Sequence, residues 1–309
     1  NIDERGKGFK YVNSPPFMTA PTASQQEKLG ELDQRLKEAR LALADMDEEI
    51  NSGQQVWEDS LVGSSDIDAD VDWNLKDGLI VHHALDGDIS GVHAGKIVDA
   101  TLEDGLPHFV DGRIGSAASF DGQRYIDAGM PPNLGYEDEF TLSAWIYPNM
   151  DNGVIFSRAN EGDQGEVGWG LYIEGGKLRL NLSTRVLDDG VAAETTQAIQ
   201  LERWQHVAAT YDGSKTPEGM RIYVNGIEQE LEGLLDLVGN RLPQRYPLRI
   251  GASGSTKPNF QGSIDDVRIY DRVLEPEEIA VVSTAESISF IASLDPSKRE
   301  KAQSDKLRL

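Results

Sequence analysis

The 309-residue sequence has no cysteine, which excludes disulfide staples, thiolate nucleophiles and cysteine-ligated structural zinc. Basic residues are scarce: 29 lysines and arginines stand against 53 aspartates and glutamates, a formal net charge of −24. So negative a surface repels nucleic-acid phosphates and anionic lipid, and neither is an expected partner. It suits calcium, a basic protein or a neutral glycan. Long apolar runs are missing too, since no stretch approaches the roughly 20 apolar residues that cross a bilayer. The opening Asn1-Ile2-Asp3-Glu4-Arg5 has neither an initiator methionine nor the apolar region of a secretory signal. An internal piece of a longer chain is the expectation. Hydrophobic residues still make up 39%, enough for the core of one large domain or two modest ones.

What is present changes texture along the chain. Residues 1–23 carry Gly6, Gly8 and Asn13-Ser14-Pro15-Pro16 and read as an extended arm. Ser24 and Glu27 form a capping-box signature that opens a helix over 24–60. Leu29, Leu32, Leu36, Ala39, Leu43, Met46 and Ile50 then alternate spacings of three and four, a heptad seam. Asp33, Arg35, Lys37 and Arg40 fall on the solvated side. So narrow an apolar stripe must dock on something, within the chain or on a partner. Residues 61–76 follow as an acidic linker. Asp66, Asp68, Asp70 and Asp72 have the spacing of an EF-hand calcium loop, but Val71 stands where that loop needs glycine.

From residue 77 to 274 short β-type runs alternate with Gly, Asn and Asp clusters. Leu79–His82, Ser116–Phe120, Phe140–Tyr147, Lys177–Leu182, His206–Tyr211 and Ser263–Tyr270 are examples. Glu174-Gly175-Gly176-Lys177 and Val224-Asn225-Gly226-Ile227 have hairpin chemistry. The pattern predicts a mainly β fold, an antiparallel two-sheet jelly-roll sandwich with N- and C-terminal flanking helices. Pro276 opens the second flank, a helix and tail over 275–309, in which Ile279, Val282, Ile288, Ile291 and Leu294 recur at helical spacing.

Seven motifs in order resemble the laminin-G-like members of the concanavalin A-like superfamily. They are Asp77-Gly78-Leu79-Ile80 with His83-Ala84-Leu85-Asp86-Gly87, Ser119-Phe120-Asp121-Gly122, Phe140 to Ile146, Trp204 to Gly213, Ile222 to Gly226, Ile250-Gly251, and Gly262 to Tyr270. They span about two-thirds of the chain. The flanks carry a looser likeness. Residues 21–61 are similar to a helical connector of large planctomycete cytochrome-associated multidomain proteins, and 298–308 to the lead-in of a following domain. These resemblances imply an extracytoplasmic, multidomain parent whose neighbouring domains are partners of this segment.

The first resemblance also implies a calcium site built from the Asp of the Phe-Asp-Gly turn and an Asp of the final strand, here Asp121 and the pair Asp265-Asp266. The first loop would add Asp86 and Asp88. That loop is shorter than in similar sequences, and Val92-His93-Ala94-Gly95 replaces their Asn-His-Gly ending. The competing reading is that these aspartates only cap turns. Two adjacent aspartates entering an apolar strand are costly to bury without a cation, which favours metal.

Carbohydrate recognition is the natural use of such a fold, with Trp169, Tyr172, Arg158, Arg179 and Arg185 as candidate ligand-binding residues. Tyr172 and Arg179 are otherwise ordinary strand residues, and Trp145 and Trp204 belong to apolar motifs expected in the core. Glycoside hydrolysis would need paired carboxylates flanking a bond. Glu137, Asp138, Glu139, Glu161, Asp163 and Glu166 give no such pair, so a non-catalytic module is expected. His82 and His83 are adjacent in a strand and so face opposite ways. The alternative to sugar recognition is a scaffold that positions neighbouring domains.

Overall fold

The computed structural model describes residues 22–62, 75–103, 105, 107–162, 165–185 and 189–308. The extended arm up to residue 21, the aspartates at 66, 68, 70 and 72, and Asp163 lie outside them. The chain divides into two units, residues 1–60 and 61–309.

The first unit is a helix, part of the 40-residue Ala23–Val62. Its start lies just upstream of the expected capping box. Thr22 accepts from the Gln25 amide at 3.3 Å, and the Gln25 side chain accepts from the Thr22 amide at 2.8 Å. The Thr-x-x-Gln pair thus satisfies two of the donors that a helix leaves unpaired at its N-terminus. Along the helix, Leu29, Leu32, Leu36, Leu43, Met46 and Ile50 are all exposed.

The second unit is a sandwich of two antiparallel sheets. The ten-stranded first sheet runs, in spatial order, Ile227–Glu228, Met220–Val224, Gln205–Asp212, Glu139–Pro148, Gln261–Tyr270, Leu79–His83, Gly91–His93 and Lys96–Val98, with Ser116–Asp121 and Phe109–Asp111 added beside Gln261–Tyr270. The eight-stranded second sheet runs Leu231–Leu237, Asp189–Thr195, Lys177–Arg185, Gly165–Glu174, Gly153–Gly162, Arg249–Ile250, Tyr125–Asp127 and Thr101–Glu103. Both anticipated hairpins form. Gly175 and Gly176 have φ of +59° and +80°, and Asn225 and Gly226 have +51° and +76°, the doubly left-handed pattern of a type I′ turn.

Strand alternation builds the core. Leu178, Leu180 and Leu182 of one strand and Trp169, Leu171 and Ile173 of the next point inward, against Phe140, Leu142, Ala144 and Ile146 of the first sheet. The opposite face of the first sheet is apolar in part as well. Ala208, Tyr223 and Tyr270 there pack with Leu75, Leu274, Ile279 and Val282. The C-terminal flank forms three short helices, Pro276–Val282, Ile288–Ser293 and Lys301–Lys306, where the sequence pattern suggested one, and the first of them covers this patch. Ser287 caps the second of them by accepting from the Phe290 amide, and that cap explains the break. The helices are held by a buried Lys306, whose ammonium donates to the carbonyls of Thr284 at 2.6 Å and Glu286 at 2.9 Å.

Candidate functional site

The second sheet turns a polar face away from the core. Between the inward leucines, Lys177, Arg179, Asn181 and Ser183 alternate outward, and Glu174 and Glu194 stand on the neighbouring strands. Arg179 lies across from Tyr172 on one side and from Glu194 on the other. Its guanidinium donates to Glu194 at 2.6 Å and 3.2 Å and pairs with Glu174. Lys177 reaches Glu194 at 3.0 Å, and Lys257 pairs with Glu174. Five groups therefore alternate in sign, Lys177, Glu194, Arg179, Glu174 and Lys257, with one cation in excess on a chain that is strongly acidic as a whole. Lys177, Arg179, Glu174 and Lys257 are partly open to solvent, and Glu194 is largely buried.

Beside this row the neighbouring strands carry small residues that are buried. Gly168, Gly170, Gly190 and Ala192 share the outward face. Gly190 tolerates nothing larger, because a Cβ there would lie 2.8 Å from the Ser183 Cα. Asn181 donates to the Ser183 hydroxyl at 3.3 Å. The Tyr172 ring lies over one of these buried small residues, Gly170, and the row itself is a line of forked donors and acceptors locked by mutual pairing. Such groups suit the vicinal hydroxyls of a sugar.

Of the five ligand-binding candidates, Arg179 lies in this row and Arg185 at the end of the same strand, opposite Asp189. The other three are buried. Trp169 and Arg158 are in register with each other and point into the sandwich, each 1% exposed. The donors of Arg158 are satisfied there by uncharged acceptors. It donates to the carbonyls of Tyr246 at 2.8 Å and Pro132 at 3.1 Å and to the Gln244 and Asn133 side chains. Tyr172 does face outward but is buried. Its hydroxyl donates to Glu166, which also accepts from Ser255 at 2.6 Å, while Lys257 sits 4.9 Å above its ring. Chain parity and the covering segment around Ser253–Lys257 remove these three from any sugar-stacking role. Trp145 is buried, but on the outer side of the first sheet against His206 and Arg113.

Glu194 and Glu174 do not form an acid–base pair. Burial works to raise Glu194, but hydrogen bonds from Arg179 and Lys177 outweigh it and hold the carboxyl below its ordinary range. A general acid for glycoside cleavage requires the opposite shift.

The five candidate calcium aspartates separate into four places. Asp121 pairs with Gln261 in a register that runs to Ala118 opposite Ile264. Asp265 is one step further on, so Asp121 lies four residues away along the strand, roughly 13 Å at about 3.3 Å per residue. Asp121 instead accepts from the Gln123 and Arg124 amides and from the Arg124 guanidinium, each at 3.0 Å. These donors pull it down to about 2. Asp88 accepts from the Ser90 amide and hydroxyl, both at 3.1 Å. Asp266 sits at φ +53° in a bulge of its strand, and the bulge sends the two adjacent aspartates to different surroundings. Its carboxylate takes a two-pronged contact from Arg268, both at 3.0 Å, and one from His82 at 2.8 Å. Arg268 and His82 offset the cost of its burial, so no cation is required.

Asp265 and Asp86 remain. Asp265 Oδ2 accepts from the Arg113 and Ile114 amides at 2.9 Å and 2.8 Å, and its buried Oδ1 has no hydrogen-bond partner. Asp86 accepts from the Ser116 amide at 2.8 Å, on the same turn. Burial, with the negative charges of Asp266 and Asp86, pushes Asp265 up to about 7. Among the described residues no cluster of three or more His, Asp or Glu side chains has the geometry of a metal site, so further ligands for an ion here would be main-chain oxygens and water.

The histidines divide as alternation requires. His82 turns to Asp266, and His83 meets His93 with 3.0 Å between Nε2 atoms. The Nδ1–H of His83 donates to the Ile89 carbonyl at 3.1 Å, so its Nε2 accepts the His93 proton and both rings are neutral. Burial lowers His83 to about 4 and His206 to about 3. Both remain uncharged in the fold but protonate near pH 6.5 when unfolded, so their contribution is present above that pH and is lost as pH falls toward 4. Asp265 has the opposite sign, since its raised carboxyl costs stability as pH rises from about 4 to 7. Two histidines outweigh one aspartate. In EDTA, the thermal midpoint is expected to climb between pH 4 and 6.5 and to flatten near 7, as measured by thermal scans across that range; a midpoint flat from 4 to 6.5 would contradict the buried neutral histidines.

Among known proteins, the family model for the concanavalin A-like lectin/glucanases superfamily matches residues 120–280. Domain 4 of AbnA, an extracellular arabinanase from Geobacillus stearothermophilus, solved with arabinotriose, is 19% identical with a TM-score of 0.47, over 67% of this chain and 98% of that one. The binding domain of Paraclostridial Mosquitocidal Protein 1 is 22% identical with a TM-score of 0.49, over 71% of this chain and 53% of that one. Trypanosoma rangeli sialidase with sialic acid is 18% identical with a TM-score of 0.49, over 67% of this chain and 32% of that one.

Proposed function

The chain belongs to the concanavalin A-like lectin/glucanases superfamily, and from that premise we propose that it is a non-catalytic carbohydrate-recognition module of a larger extracytoplasmic protein, stabilised by calcium. The row Lys177–Glu194–Arg179–Glu174–Lys257 carries the proposal. Its groups are held in place before any ligand arrives, which lowers the entropy lost on binding. The sugar lies over Arg179 and Asn181, with its hydroxyls taking the donors and acceptors of the row. No helix among the described residues is long and apolar enough to cross a membrane.

Calcium belongs to the same proposal, held by Asp86 and Asp265. The partnerless buried oxygen of Asp265 supports it, because a hard cation satisfies an atom that is otherwise costly to bury. Binding would release the Asp265 proton, so calcium raises the thermal midpoint more at pH 8 than at pH 6.

The test is an array of neutral and acidic glycans probed with the whole chain in calcium, beside Arg179→Ala. Binding by the parent and its loss by about tenfold or more in the variant is the expected outcome, the scale of two charged hydrogen bonds. Equal binding by both proteins would move the site off this face, and no binding at all would leave the domain-positioning scaffold as the better reading.

A further inference from the structure

We propose that the long helix pairs with the same helix of a second copy of this chain, as an antiparallel two-stranded coiled coil whose twofold axis passes between Lys37 and Glu38. Three observations lead there. The helix Ala23–Val62 has 40 residues, about 60 Å at 1.5 Å per residue. Its apolar seam is open to solvent along its length, with Leu29, Leu32, Leu36, Leu43, Met46 and Ile50 between 46% and 59% exposed. Helices of this kind owe most of their stability to a covered apolar face rather than to propensity. The seam keeps a strict three–four alternation, which makes Leu29, Leu36, Leu43 and Ile50 the a positions and Leu32, Ala39 and Met46 the d positions of a heptad.

The charges beside the seam select both the partner and its direction. Asp33 and Arg40 occupy e positions, and Lys28 and Arg35 occupy g positions. In a parallel pair each g residue faces the e residue five positions on, which gains Lys28 on Asp33 but sets Arg35 on Arg40 on both sides of the dimer. In an antiparallel pair e faces e and g faces g. With Leu29 opposite Met46, Leu32 opposite Leu43 and Leu36 opposite Ala39, Asp33 meets Arg40 of the second copy twice, and Arg35 meets the neutral Ala42. Sliding by one heptad one way sets Arg35 on Arg35 and Asp33 on Asp33; the other way sets Arg40 on Arg40. One register avoids every one of these like-charge contacts. It also sets the large Leu36 against the small Ala39, which lets the layers interdigitate.

The whole chain is expected to sediment as a dimer in a concentration series, and Leu36→Asp as a monomer. The absence of cysteine allows the direction to be read by cross-linking. Leu32→Cys and Leu43→Cys, each oxidised alone, should stay uncross-linked, whereas their mixture should give a 32-to-43 disulfide dimer. Self-cross-linking of each variant alone would mean a parallel pair and would overturn the proposal. Arg40→Glu should weaken the dimer by about tenfold, as attraction to Asp33 becomes repulsion at two places, and Asp33→Lys in the same chain should restore it. Tighter association of Arg40→Glu, or a parent chain that is monomeric at every concentration, would also overturn it. The seam is exposed, so the thermal transition of the sandwich should be unchanged in all variants and serves as the folding control.

Discussion

Asp266→Ala is expected to destabilise the sandwich by about 3–5 kcal/mol, because it leaves a buried guanidinium without its carboxylate. Asp266 and Arg268 are each 5% exposed. Burial alone would raise the Asp266 carboxyl, yet the charge of Arg268 and the hydrogen bond from His82 hold it far below its usual range. The same pairing raises Arg268 although burial works against it. For a unit of this size the loss corresponds to roughly 10 °C in Tm. A double variant, Asp266→Ala with Arg268→Met, separates the ion pair from the bulge. Removing both charges exchanges a costly desolvated pair for apolar packing, and the double variant should recover much of the loss. A double variant no more stable than Asp266→Ala would mean that the left-handed bulge, and not the uncompensated charge, dominates.

Trp169→Ala is expected to cost about 3–5 kcal/mol as well, through the cavity it opens in a close-packed interior. Its ring packs on Phe140 with centroids 6.3 Å apart, and only 1% of the residue reaches solvent. Chemical denaturation should report the loss as a lower midpoint. Glycan affinity, measured well below that midpoint, should be unchanged within a factor of two or so, since the side chain lies on the far side of the sheet from Arg179. A lost sugar signal with unaltered stability would reverse the assignment of the two faces. Paired with Arg179→Ala, this substitution separates what holds the sandwich together from what it presents.

The contrast shows where the sequence was legible. The ordered motifs from Asp77 to Tyr270 and the two glycine hairpins gave the sandwich, because turn chemistry and period-two runs are local properties. Asp189–Thr195 and Leu231–Leu237 were not anticipated as strands. Their alanines, leucines and glutamates favour helix, and pairing within the second sheet overrides that preference. The site was less legible, for two reasons. Trp169 and Tyr172 invite a stacking role by residue type, but their parity and the Ser253–Lys257 segment are decided by the rest of the fold. The signal that did exist was the alternation Lys177-Leu178-Arg179-Leu180-Asn181-Leu182-Ser183, which marks the polar side of that strand. Likewise Asp121 and Asp265 look like one site in a list of motifs. Only the strand register separates them, and only the bulge sends Asp265 and Asp266 apart.

The most direct measurement is hydrogen–deuterium exchange over the whole chain, with and without a saturating pool of neutral oligosaccharides in calcium. Slower exchange confined to the strands Gly165–Glu174, Lys177–Arg185 and Asp189–Thr195 is the expected result. Protection centred elsewhere, or none with any oligosaccharide, would contradict sugar recognition by this face.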